Sequence, residues 1–252
     1  MNHRECEFLE QHVPQAILTD PERRLLDVGC ANGAFARKMI RRGWHVEGLE
    51  IGSQAEDVDD FVVHGCLLNE LTLPNASFDV ITAWAVLEHV LNPRACFEAA
   101  ARLLKPGGVF IFLVTNFEST SSHSLYREDI PRHTYHFTES TVQRYLEDNG
   151  LQMAHVHQGN DIYRMTPVGW LVHLIGRACG HERLPWKKMP VNRTKWISDR
   201  GLRLGLLSTM RYVARHPIWT LDRAIVPLYV AWQIRSKSYG IVTYVGTKPS
   251  LH

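Results

Sequence analysis

The sequence predicts an α/β protein built on a doubly wound, mostly parallel sheet. Three observations carry this expectation. Short apolar runs alternate with stretches of helical period from Arg24 to about Leu151, the pattern of strand, crossover helix, strand. Leu25 to Gly33, LLDVGCANG, reads as a buried strand that ends in an acid and a tight turn, with the apolar-periodic run AFARKMIRRG behind it. VFIFLVT, residues 109–115, has no polar alternation and so reads as a strand covered on both faces.

Taken in order, Glu7 to Leu18 is expected as an amphipathic helix. Arg24 to Val28 is the first strand and Ala34 to Arg42 the first crossover helix, ended by Gly43. Trp44 to Leu49 is the second strand and Phe61 to His64 a short third. VITAW follows Ser77-Phe78-Asp79 as the fourth strand. Pro93 opens a helix at a position where its missing N–H costs nothing, and Lys105-Pro106-Gly107-Gly108 turns the chain into the fifth strand. A long polar loop, Asn116 to Arg132, has the length of a binding loop or lid. Thr138 or Thr141 caps the next helix, Leu151 to Gln158 is the sixth strand, and YGIVTYVGT, residues 239–247, is the last, pairing beside the sixth.

Composition bounds the class. The 252 residues are 45% hydrophobic, which suits a globular core. Charge is unevenly placed: residues 1–159 carry a net −9 and residues 160–252 a net +11. The division expected is therefore a core over 1–159, a basic helical insertion over 160–237 and a last core strand with tail over 238–252. The insertion holds five of the seven tryptophans and readable helices at Val168 to Ala178, Lys195 to Tyr212 and Leu221 to Ile234. The five cysteines form no CxxC pair and the histidines no HxxxH, so neither a disulfide framework nor a metal is expected. The N-terminal stretch has no apolar signal region, and no apolar run nears the ~20 residues of a bilayer span. A reducing cytoplasm is the expected compartment.

The residues with chemistry gather at strand ends. Gly29 and Gly33 let a ligand approach the backbone of the first turn, and Asp27 stands just before it, where open parallel sheets bind ligands. Glu50 ends the second strand, the position of a carboxylate that accepts from two adjacent ribose hydroxyls. Glu88 and His89 form a polar pair after the fourth strand that packing does not explain. A nicotinamide-dependent dehydrogenase needs GxGxxG, whereas the glycines here are four apart.

Five stretches, LLDVGCANGAF, GLEIG, SFDVITAWAVLEHVLNP, RLLKPGGVFIFLVTN and PRHTYHFTESTVQRYLEDNGL, appear in one order over residues 24–158. Together they resemble the class I S-adenosylmethionine-dependent methyltransferases of the type 11 or type 23 branch. The resemblance implies a Rossmann-like seven-stranded sheet with an antiparallel last strand and a helical insertion before it. It implies that Asp27, Gly29, Ala31 and Gly33 surround the methionine moiety of S-adenosylmethionine. Glu50 then takes the ribose, Ile51 packs on adenine, and Cys66 and Leu67 border the base. Trp84, Ala85 and His89 line the reaction zone. Ala31 stands where the family usually has glycine, and Cys66 where it often has aspartate; a thiol is a poor acceptor for an adenine amino group.

Methyl transfer to a hydroxyl gains from a base, and His133, which ends the long loop, is the first candidate, with His89 and His136 behind it. Relatives of this kind serve envelope polysaccharide, lipid-linked glycan and quinone pathways. The acceptor expected is a small molecule or a glycan-like group, with lipid-linked carriage suited to the basic, Trp-rich insertion. That composition also suits peripheral contact with an anionic membrane, and equally a lid or a homodimer contact. No RNA-binding element is recognisable, so nucleic acid is not an expected partner. The alternative from another class is an inactive methyltransferase-like module that binds a membrane or a protein; the intact pair Asp27 and Glu50 speaks against it.

Overall fold

The structure is a computed structural model that describes residues 2–52, 60–119, 132–159, 161–163 and 217–250. The chain divides into one unit of residues 1–165 with 233–252, and a second of residues 166–232. The first unit contains α1 (Asn2–His12), α2 (Gln15–Leu18), β1 (Arg24–Val28), α3 (Ala34–Ile40), β2 (His45–Leu49), β3 (Val63–His64), β4 (Phe78–Trp84), α4 (Pro93–Leu103), β5 (Leu104–Thr115), α5 (Glu139–Asp148) and β6 (Gln152–His157). Helix α6 (Pro217–Arg235) begins in the second unit and leads to β7 (Ile241–Thr247) of the first. The expected helices at 168–178 and 195–212, with Trp170, Trp186 and Trp196, lie outside the described residues, as does most of the loop at 116–132.

The sheet has seven strands in the order β3-β2-β1-β4-β5-β7-β6. β1 to β5 pair in parallel, and β7 runs antiparallel to both β5 and β6. This is the expected fold class. From β1 the chain goes to β2 on one side and later to β4 on the other, so the direction of winding reverses beside β1. The carboxyl ends of β1 and β4 therefore flank a crevice that neither crossover covers.

Residue character explains the elements. β4 is buried up to Trp84 and β5 from Gly108 to Val114, and α4 lays Phe97 against Phe110 and Phe112 edge-on, and against Tyr145 of α5 face to face. Asn92 caps α4 by accepting from Ala95 N, with Pro93 next. At α5 both candidate threonines are used: Thr138 accepts from Thr141 N, and Thr141 accepts from Thr138 N. At the opposite end of the sheet from the crevice, Asp79 Oδ2 accepts from Arg24 N at 2.8 Å and Lys105 Nζ at 2.7 Å, which ties β1, β4 and β5 together.

Three expectations need correction. The single helix over Glu7 to Leu18 is two helices, because Pro14 cannot continue α1 and sits extended at φ −54°, ψ 141° as the cap of α2. Strand β3 keeps only Val63 and His64 of the expected Phe61 to His64, and a 3-10 turn at Leu68–Glu70 follows it. The strand assigned as β5 starts at Leu104 rather than Val109, with the turn at Gly107 (φ 78°) inside it and the register with β4 shifting between Phe78 and Val80. Among the described residues no helix is long and apolar enough to cross a membrane.

Candidate active site

The first turn is fastened to the neighbouring strand. Gly29 N and Cys30 N both donate to Leu49 O, at 2.7 and 3.0 Å. Ala31 N donates to Glu50 Oε2 at 2.9 Å, and the other oxygen of Glu50 accepts from Gly52 N at 2.8 Å. Glu50 therefore braces the turn, and its carboxylate still has lone pairs left for a ligand. Gly29 has φ 70°, and a Cβ there would run into the Val86 side chain. Ala31, at φ 48°, is held in the same left-handed region without being glycine, a backbone cost of roughly 1–2 kcal/mol.

Asp27 is 2% exposed and accepts from Thr82 Oγ1 at 2.9 Å. Thr82 is its register partner on β4. Burial pushes the Asp27 carboxyl up to about 7 against that hydrogen bond, and the charges of Glu5 and Glu50 push the same way. Cys30 is driven up to about 12, first by burial and then by the charges of Asp27 and Glu50, so it remains a thiol packed against Gly48. The sequence reading missed Thr82, Glu5, Val86 and Phe61, whose ring faces Gly33. A polar residue inside the apolar run VITAW was a signal for Thr82; a glutamate in an N-terminal helix carried none.

The other residues expected at the site fall along the same edge. Leu49 pairs with His64, so Ile51 and Cys66 each stand two residues beyond paired strand ends. Ile51 is 68% exposed and Leu67 37%, apolar side chains left in the open. Past β4, Trp84 packs edge-on against Phe35. Its buried Nε1 has no hydrogen-bond partner among the described residues. Ala85 is a second non-glycine in left-handed backbone, at φ 57°.

His89 and His133 meet edge to face with ring centroids 4.6 Å apart. Backbone pairing brings them together: Thr134 N donates to Glu88 O at 2.9 Å, and Thr134 Oγ1 to Val90 O at 2.9 Å. His89 Nδ1 lies 3.0 Å from Arg132 O. A carbonyl only accepts, so that nitrogen carries a proton, and in the neutral imidazole the lone pair is on Nε2. Glu88 and His133 are buried, His89 is exposed, and one ligand atom from each of the three lies within 4.8 Å of the others. Two imidazoles and a carboxylate form a donor set suited to a divalent transition metal. His136, the third imidazole considered, packs against Phe117 instead.

The model of one family, described as a methyltransferase domain (type 23), matches residues 1–156. The chain belongs to that family. It is an S-adenosylmethionine-dependent methyltransferase, and S-adenosylmethionine is its cofactor. The methyltransferase is 29% identical over 180 residues to a ubiquinone biosynthesis O-methyltransferase of Azoarcus, covering 60% of this chain and 77% of that one. It is 37% identical over 108 residues to a protein of the same name from Hahella chejuensis, where the match spans only 44% of the relative. Among solved structures it superposes on geranyl diphosphate C-methyltransferase from Streptomyces coelicolor, in complex with Mg2+, geranyl diphosphate and S-adenosyl-L-homocysteine. That match has a TM-score of 0.59 at 17% identity and covers 97% of this chain and 78% of that one. A sarcosine dimethylglycine methyltransferase from Galdieria sulphuraria gives 0.58 at 16%, covering 98% and 86%. These identities show a shared fold.

An acid whose pKa is raised by folding holds extra protons in the native state, so stability falls as pH rises from about 4 through about 7. Asp27→Asn removes this cost without changing shape. Thermal unfolding of the unliganded variant at pH 7.5 is expected about 5 °C above wild type, with the difference vanishing near pH 4. Equal melting at both values would show that Asp27 carries no buried charge.

Proposed function

We propose that the methyltransferase methylates a hydroxyl oxygen of a small acceptor, and that a ubiquinone precursor is the class to try first. The names of the relatives support oxygen as the target and a ubiquinone precursor over the lipid-linked glycan of the sequence reading. The observation that carries the proposal is the adjacency of two sites on one sheet edge. One is the braced acidic turn after β1; the other is the His89–His133 pair after β4.

The residues fit S-adenosylmethionine. Gly29, Ala31 and Gly33 leave backbone open beside the buried Asp27 for the methionine moiety, where a Cβ at Gly29 would disturb Val86. Glu50 takes the ribose hydroxyls with the lone pairs its backbone contacts leave over. Ile51 offers its exposed side chain to the adenine, bordered by Cys66 and Leu67. When bound, the cofactor supplies a methyl group already attached to its leaving group. The chain's own task is then to align the acceptor, keep water out and remove one proton. Trp84 and Ala85, at the carboxyl end of β4, would border the methyl group. His133 takes the hydroxyl proton, with His89 against its ring and the Glu88 carboxylate beside both.

Calorimetric titration with S-adenosylhomocysteine is expected to show binding that Asp27→Ala and Glu50→Ala each weaken. His133→Ala is expected to leave that binding intact and to lower turnover by roughly 10²- to 10⁴-fold. Wild-type protein that does not bind the probe would overturn the cofactor site, and unchanged turnover in His133→Ala would remove the base.

The donor set Glu88, His89 and His133 favours a second reading, in which the three hold a divalent cation that takes the acceptor oxygen and lowers its pKa. Chelation followed by Mn2+ addition separates the two. Activity lost and regained, with a Mn2+ resonance that Glu88→Gln abolishes, supports the metal. Activity indifferent to chelator supports the bare imidazole.

Peripheral contact with an anionic membrane belongs to the same proposal. Its support is the net +11 of residues 160–252, with Leu221, Leu228 and Trp232 of α6 exposed. Co-sedimentation with anionic vesicles at low salt, weakened by Leu228→Glu, is expected; absence of pelleting by wild type would end this part.

A further inference from the structure

Helix α1 brings an unexpected carboxylate to the acidic turn. Glu5 is 3% exposed, and its Oε2 has no hydrogen-bond partner among the described residues. It lies near enough to Asp27 for its charge to bear on that carboxyl. α1 packs on α3, the helix that starts at the Gly33 end of the turn, while Glu50 braces the turn from the end of β2. Basic groups nearby do not neutralise it. Arg42 pairs with Glu10 at 3.1 Å, and the N-terminal ammonium, followed by Lys38 of α3, offsets burial only in part, leaving Glu5 pushed up to about 7.

A buried carboxylate without a donor is costly, and two facing each other more so. The methionine moiety of S-adenosylmethionine ends in an ammonium, and the charge of such a group offsets both acids. Resting on the cofactor pocket proposed above, we propose that Glu5 receives this ammonium together with Asp27, so that α1 closes the amino-acid end of the pocket. The proposal adds a binding residue from outside the strand-end motifs. It also makes cofactor binding proton-linked: the charged groups that act on Glu5 and Asp27 are the N-terminal ammonium, Lys38 on α3 and Glu50 after β2, and the ammonium of the ligand favours the ionised form of both acids.

Two probes isolate the contact. S-adenosylhomocysteine carries the ammonium; 5′-methylthioadenosine keeps the nucleoside and thioether but lacks the amino-acid part. Glu5→Gln, nearly isosteric, is expected to weaken the first roughly tenfold or more and leave the second unchanged, and Glu5→Asp to fall between. Calorimetry at pH 6.5 in two buffers of different ionisation enthalpy is expected to show proton release with S-adenosylhomocysteine in wild type and less in Glu5→Gln. Equal loss for both probes would mark Glu5 as structural, and no loss for either would exclude the contact; each overturns the proposal. Failure of the pocket itself is visible separately, as wild-type protein that binds neither probe.

Discussion

Four backbone amides converge on the end of one strand, and the rest of the site depends on them. Gly29 and Cys30 donate to Leu49 O; Ala31 and Gly52 donate to the two oxygens of Glu50. This clasp holds the loop after β1 against β2 and sets where α3 begins. It also explains how alanine occupies a left-handed position that glycine fills more cheaply. A hydrogen bond from Ala31 N to an ionised carboxylate is of the stronger kind, and it offsets a backbone cost of roughly 1–2 kcal/mol. Glu50 thus has a structural duty besides the one its position suggests, and the shape of the loop and the recognition of the ligand share one side chain.

The clasp concentrates negative charge where solvent is excluded. Asp27 is buried at the turn with one neutral donor among the described residues, Thr82, and its charge is opposed by Glu5 and Glu50. Such an arrangement lowers the stability of the empty protein and raises its affinity for a cation. Burial, reinforced by the charges of Asp27 and Glu50, keeps the Cys30 thiol protonated beneath the loop, which suits a small packing residue and removes it from consideration as a nucleophile.

Most of the fold was legible because each parallel strand announces itself as an apolar run and each helix by its period. The errors lie where local pattern and backbone chemistry disagree: Pro14 splits a periodic stretch, and the turn at Gly107 is absorbed into a paired strand. The strand-end residues Asp27, Glu50 and His89 could be found because the fold places ligands at that edge. Glu5 could not, since nothing local marks a helical glutamate as buried; only packing of α1 on α3 does so. Likewise the pairing of His89 with His133 depends on Thr134 bonding to Glu88 and Val90, contacts across more than forty residues that no short motif encodes.

β4 joins the two halves of the site. Thr82 turns to Asp27 on one flank, Trp84 reaches Phe35 at the strand's end, and the chain then runs through Ala85 to Glu88 and His89. The left-handed Ala85 makes this path sharp, and Ala85 N is anchored to Leu113 O of β5 at 3.0 Å. The acidic turn and the imidazole pair are therefore linked by a strand buried up to Trp84 and a short turn anchored to β5 at Ala85. In-line transfer requires that kind of constancy, because a displacement of about 1 Å between reacting groups is enough to cost ~10²-fold in rate. Ala31 and Ala85, two of the left-handed non-glycine residues, follow β1 and β4, where the chain leaves the sheet toward the crevice.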